Sequence, residues 1–239
     1  MEFKLEMNRD VIKQFFELLD SYLLGDLETM VIEIGPRKSG GLGYPSMQTI
    51  LSGMELLGRV LSGGKEDRQA FNFFWDNYFV KENQQYKNDR LKKIFRHSVR
   101  DGTAHYFLAK YGIRLTKDNK GNLTKTDEKE LSIDIVTFYT DFKKTYFNVK
   151  TELLEGENEE LLEQFMKGYK SLIKDLRAAK KDIDEYIKTI SVYPKGDLTT
   201  GESRPNLGKE SNLTTFTSSQ QTLRSPASTT TLPFKDLEN

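Results

Sequence analysis

Apolar residues recur every three or four positions along this chain as far as Ile190, and the recurrence stops at Tyr193. A period of three to four residues places side chains on one face of an α-helix, so it restricts the chain to packed amphipathic helices. Val11, Phe15, Leu18, Leu19 and Tyr22 form a first such stripe, capped by Asn8 or Asp10 and broken at Gly25-Asp26. Leu27 to Ile34 fits either a short helix or a strand, because its β-branched residues suit both. A second helix follows Pro45, with Ile50, Met54, Leu57 and Leu61 inward. Its Gly53 and Gly58 offer flat surface for close helix crossing, and Gly63-Gly64 ends it. Asp67 to Val80 is dense in aromatics at helical spacing, which reads as core and not as a base-stacking platform.

A central helix is expected from near Asn83 to beyond His105. The period then changes. Residues 112–126 read as strand, turn and strand, with Asn119-Lys120-Gly121-Asn122 supplying the turn of a β-hairpin. Thr126 or Asp127 would cap a long helix carrying Leu131, Ile135, Phe138, Phe142, Tyr146 and Val149. After a break at Gly156, another stripe runs from Leu161 to Leu176 and is extended by Ile183, Ile187 and Ile190. Residues 193–239 are rich in Ser, Thr, Pro and Gly, with isolated apolar residues that cannot offset the entropy of ordering. The expected organisation is therefore one all-α bundle over 1–192 with a small inserted β-hairpin, and a disordered tail over 193–239.

Composition removes several chemistries. The chain has no cysteine, so disulfides, thiolate nucleophiles and Cys-based metal sites are excluded. Two histidines without HxxE or DxD partners are a thin ligand set, so no metal and no cofactor is expected. The glycine-rich loop at Gly35–Ser46 lacks the spacing of a P-loop or dinucleotide fingerprint. No segment reaches bilayer-spanning length, and MEFKLEMNRD has no apolar run after its charges, so a cytoplasmic protein without a membrane partner is expected.

Charge then singles out one stretch. Lys+Arg and Asp+Glu both number 36, yet from Lys81 to Arg100 seven basic residues face two acids. Both histidines, His97 and His105, lie within or just beyond that run. On a helical wheel Leu91, Phe95, Ser98, Gly102, His105 or Tyr106, and Ala109 share one side, whose small, polar middle admits another helix. Arg96 and Arg100 share a positive edge. Arg100 and His105 are separated by about 140° of rotation on an ideal helix, so they would line a groove and not bond to each other. Two copies across a symmetry axis would assemble a composite site.

The segment Arg100-Asp101-Gly102-Thr103-Ala104-His105 resembles the R-x(4–6)-H motif of HEPN domains, including the polar residue after the arginine. The resemblance implies a HEPN-like helical bundle acting as a homodimer. It also implies a metal-independent endoribonuclease, a hydrolase of bacterial or phage-defence systems, with an antitoxin or other protein partner. It assigns catalysis to Arg100, His105 and Asp101. His105 would exchange the proton, Arg100 would bind the scissile phosphate, and Asp101 would orient Arg100 or hydrogen-bond a neighbouring histidine. Imidazole titrates near neutrality, and guanidinium presents a fixed fork to phosphate oxygens, so the chemistry is coherent. RNA would be held by Arg96, His97, Lys92 and Lys93. The alternative is a noncatalytic RNA-binding or protein-interaction module using the same basic helix.

Overall fold

The computed structural model describes residues 2–37, 41–106, 112–119, 121, 123–178 and 180–190, with the side chains of 2–7, 104–106 and 181 left out. The expected tail at 193–239 lies outside the described residues. Contacts divide the chain at Lys180, so residues 1–180 form one unit and Lys181 begins a second.

The first unit is mostly helical. Helix α1 (Glu2–Leu19) starts well before Asn8, and Gly25-Asp26 does not end it. The path continues through a π-helical segment (Asp20–Leu24), α2 (Gly25–Glu28) and a second π-helical segment (Thr29–Glu33). Gly25 keeps right-handed helical dihedrals (φ −61°, ψ −47°), because a lone glycine weakens a helix without forbidding it. Leu27 to Glu33 is therefore helical, and buried Leu27 and Val31 anchor it. Helix α3 (Gly43–Leu61) holds Pro45 in its first turn and buries Ile50, Met54, Leu57 and Leu61. Its C-terminus has Gly63 at φ +75°, with Gly64 N–H donating to Arg59 O at 2.9 Å and Gly63 N–H to Val60 O at 3.4 Å. This Schellman pattern needs a left-handed residue, which glycine supplies without a Cβ penalty.

Helix α4 (Asp67–Asn77) crosses α3 at Gly58, where an added Cβ would lie 2.0 Å from Ala70 O. Phe71, Phe74 and Trp75 of α4 are core residues, as its aromatic spacing predicts. After short 3-10 turns at Phe79–Lys81 and Gln84–Lys87, α5 (Asp89–Ile94) begins. Asn88 caps it, its side-chain oxygen accepting from Arg90 N–H at 2.9 Å and Leu91 N–H at 3.3 Å. The helix runs on through a π-helical segment (Phe95–Arg100) into α6 (Asp101–Tyr106). We call Asp89–Tyr106 the motif helix. It starts six residues later than Asn83, which instead caps the preceding 3-10 turn.

The expected hairpin is corrected to a three-stranded sheet. β1 (Ile113–Thr116) and β2 (Leu123–Lys125) do not pair with each other; both flank β3 (Leu131–Asp134). β1 runs parallel to β3, with Leu115 opposite Ile133, and β2 runs antiparallel to it, with Leu123 opposite Ile133. A two-stranded hairpin is marginal alone, and the third strand supplies the missing partner. Leu131 thus belongs to a strand, and α7 (Ile135–Glu155) is capped by Asp134 and not by Thr126 or Asp127. The Asp134 carboxylate accepts from Thr137 N–H at 2.8 Å and Asn119 N–H at 2.9 Å. Helix α8 (Glu159–Ala178) lays Gly168 against α3, where a Cβ would meet Val60 O at 2.4 Å.

Two aromatic clusters help to fill the core. Phe15, Phe16, Tyr146, Phe165 and Tyr169 join α1, α7 and α8. Trp75, Phe79, Tyr86, Phe95 and Phe138 join α4, the motif helix and α7. Phe95 and Phe138 stack nearly parallel with centroids 4.7 Å apart, which fixes the motif helix to α7. No described helix is long and apolar enough to cross a membrane. In the second unit, the described end of α9 (Lys180–Ile187) exposes Ile183, Tyr186 and Ile187, so these residues are not core.

Candidate nucleic-acid interface

The motif helix buries Leu91, Phe95, Val99 and Thr103, each four residues after the last. Ser98, expected on the inward side, is only partly buried, whereas Gly102 is buried as expected. The wider π-helical turn at Phe95–Arg100 changes the angular advance per residue, so a simple 3.6-residue wheel misplaces side chains across it. Arg96, His97 and Arg100 consequently emerge beside one another around a single acid, Asp101.

Asp101 accepts a very short contact from Arg96 Nη1 and lies 3.4 Å from Arg100 Nη1 and 3.4 Å from His97 Nδ1. Arg100 has a second acidic partner. Its Nε and Nη2 donate to Glu55 Oε2 of α3 at 3.2 and 2.9 Å. Glu55 and Arg100 are 15% and 24% exposed, so this pair is screened less than a surface ion pair. A guanidinium carries five N–H donors. Glu55 and Asp101 engage three of those on Arg100, which leaves two for another acceptor.

Burial disfavours the Asp101 carboxylate, but the Arg96 charge and hydrogen bond, the His97 hydrogen bond and the Arg100 charge outweigh it. The carboxyl therefore sits below its ordinary range and is ionised at neutral pH. It can orient donors, but it holds no proton to give. Glu55 Oε1 and Arg96 Nε are buried without a hydrogen-bond partner among the described atoms.

Arg96 and His97 also line a cavity of about 280 Å³ between the motif helix and α4. All four side chains expected to contact RNA (Lys92, Lys93, Arg96 and His97) border it, with Asp89 and, from α4, Arg68 and Asn72. Lys92 is neutralised there, its ammonium lying 2.7 Å from Asp76 and 3.3 Å from Asp89. Lys93 and Arg68 are exposed. A broader depression of about 790 Å³ follows the α3–α4 turn from Ser62 to Gln69 and includes Lys167. It is larger, but it lies away from the Arg100–Asp101 pair and meets the cavity only through Arg68.

His105 is placed only by its backbone, in α6; its side chain lies outside the described ones. Among the described residues no group of three His, Cys, Asp or Glu side chains gathers as metal ligands would. The residues that sequence reasoning missed are Glu55, Arg68 and Asn72. Glu55 carried a signal, being the one charge between Gly43 and Gly58 in a helix whose other charge is Arg59 in its last turn. Arg68, Asn72 and Asp76 recur every four residues and mark a polar edge on an aromatic helix. No family model, curated protein or solved structure matches the chain.

Proposed function

We propose that the chain is a HEPN-like endoribonuclease that works without a metal ion, as a homodimer presenting two Arg100/His105 motifs to one RNA. The observation that carries this reading is the position of Asp101. It links the motif arginine to Arg96 and His97, which border the basic cavity, so one carboxylate joins Arg100 to the basic face.

In this reading Glu55 and Asp101 hold the guanidinium of Arg100 in one orientation, with two N–H groups left for a phosphate. Those donors stabilise negative charge that grows as the RNA 2′-oxygen attacks phosphorus. His105 takes the 2′-hydroxyl proton or protonates the departing 5′-oxygen. The P–O5′ bond breaks as the P–O2′ bond forms, leaving a 2′,3′-cyclic phosphate and a 5′-hydroxyl. DNA lacks the attacking hydroxyl and is not cut.

The test is incubation of the full chain with RNA in EDTA. Cleavage persists in the wild type, and Arg100→Ala and His105→Ala each lower its rate by about 100-fold or more. Intact RNA with the folded protein, or undiminished cutting by either variant, rejects the enzyme. One observation favours a second reading, a noncatalytic RNA-binding module. Arg100 is already matched by two carboxylates, as a structural arginine would be. That reading predicts salt-sensitive RNA binding without products.

A further inference from the structure

The cavity between α4 and the motif helix has two walls, and only one of them belongs to the resembling motif. From the motif helix come Lys92, Lys93, Arg96, His97 and Asp89; from α4 come Arg68 and Asn72. The charges divide into two sets. Lys92 is held by Asp76 and Asp89, and Arg96 by Asp101, so both are matched inside the protein. Arg68 and Lys93 take part in none of the described ion pairs, and both are exposed on opposite walls of the same opening, with half-exposed His97 beside them. Arg68 also borders the broad depression lined by Gly63, Gly64, Lys65, Glu66, Asp67 and Lys167. The two concavities therefore share one cationic side chain.

We propose that this cavity is a phosphate subsite for a single RNA strand, with Arg68 of α4 and Lys93 of the motif helix gripping one backbone phosphate from opposite sides. The proposal rests on the RNA reading above and adds a residue set that the motif does not contain. Asn72 supplies an amide that can donate to the same phosphate or to the adjoining ribose. Arg96, tied to Asp101, joins the subsite to Arg100, so a phosphate held here lies along the strand from the one to be cut. Beyond Arg68 the strand continues into the depression toward Lys167, with Glu66 and Asp67 as the acids along that edge. Two cations outside the described ion pairs, facing one opening with Arg96 and His97 beside them, favour an anionic ligand over a neutral one. Each such contact releases a counterion when a phosphate replaces it.

The experiment uses the full chain and a 2′-O-methyl oligoribonucleotide, which cannot be cleaved through its 2′-oxygen. Affinity is read by fluorescence anisotropy across a salt series. Arg68→Ala and Lys93→Ala are each expected to weaken binding several-fold and to lower the slope of log K against log salt by about 0.7. Lys143→Ala, a comparable loss of charge on α7, leaves the slope unchanged. Wild-type affinity and slope in both Arg68→Ala and Lys93→Ala overturn the subsite, as does an equal loss in Lys143→Ala. Thermal melts of each variant separate lost binding from lost folding. Cleavage of unmodified RNA is measured alongside. Slope losses without any cleavage support the subsite and reject the nuclease, whereas cleavage with unchanged slopes rejects the subsite and leaves the nuclease.

Discussion

Helix α7 and the motif helix both carry charge into partly buried positions, but they balance it in opposite ways. On α7 the pattern Tyr-x3-Lys occurs twice, seven residues apart, and each copy closes on one acid of the N-terminal helical path. Tyr139 and Lys143 donate to Glu28 Oε2 at 2.8 and 2.7 Å. Tyr146 and Lys150 donate to Asp20 at 2.7 and 2.6 Å. Each lysine is matched by one carboxylate and each tyrosine is deeply set, so these are clamps between packed helices. On the motif helix one carboxylate, Asp101, serves two arginines and a histidine, while Arg68 and Lys93 stand opposite without an ion pair. Buried polar groups are ordinarily matched, because an unpaired one costs stability. A site is better marked by a surplus of one charge at an opening than by the amount of charge.

The largest effect should come where the two regions meet. Trp75 packs against Phe71, Phe79, Tyr86 and Phe95 and donates its indole N–H to Tyr86 O at 3.0 Å. Trp75→Ala should cost about 3–5 kcal/mol in urea unfolding. It should also erase the contrast, since the motif helix loses its anchor and both stability and RNA binding fall together. Retained stability in that variant would mean that the motif helix is held by something other than the aromatic cluster.

Tyr146→Phe sharpens the contrast from the α7 side. Its hydroxyl donates to the Asp20 carboxylate, and burial together with that acid pushes the phenol pKa well above its ordinary value. A hydrogen bond to a charged group contributes about 1.5–3 kcal/mol, so stability should fall by that amount. RNA binding by the folded fraction should not change. A loss of affinity at unchanged stability would place α7 in the interface and dissolve the distinction.

What could be read from the residues was local. Gly58 as the crossing point, Gly63-Gly64 as the stop of α3 and Phe71, Phe74 and Trp75 of α4 as core all follow from spacing and from single-residue chemistry, whereas Phe73 of the same run is only partly buried. The misses are contacts across long loops or changes of helical pitch. The residues of β1 and β2 carry no statement that β3 will come between them, because pairing register is decided by tertiary packing. Gly25 looked like a break because glycine disfavours helices, yet burial of Leu24 and Leu27 on either side keeps the path helical. In the site, Arg96, His97 and Asp101 are near neighbours and could be grouped by inspection. Glu55 lies 45 residues before Arg100 and Arg68 lies on another helix, so only the packed structure brings them to the motif.

The smallest effect lies in the acid limb of stability, where each region has one carboxyl below its ordinary range. For Glu28 the Lys143 hydrogen bond is the main cause, followed by that of Tyr139, with burial opposing. For Asp101 burial opposes most strongly, and Arg96 leads the groups that overcome it. A carboxyl whose folded pKa is depressed stabilises the fold above its unfolded pKa, and that contribution is lost as pH falls through the folded value. The stability gap between wild type and Glu28→Gln should therefore be full above about pH 4.5 and close below it. The gap for Asp101→Asn should stay open until the pH drops beneath about 3.8. Salt should separate the two further, because Glu28 is 40% exposed and Asp101 26%, so screening erodes the Glu28 gap more. Urea midpoints from pH 6 to pH 2, at low and high salt, measure both gaps. If the Asp101→Asn gap widens on acidification, the carboxyl is not held ionised by Arg96 and Arg100, and its part in orienting the motif arginine fails with it.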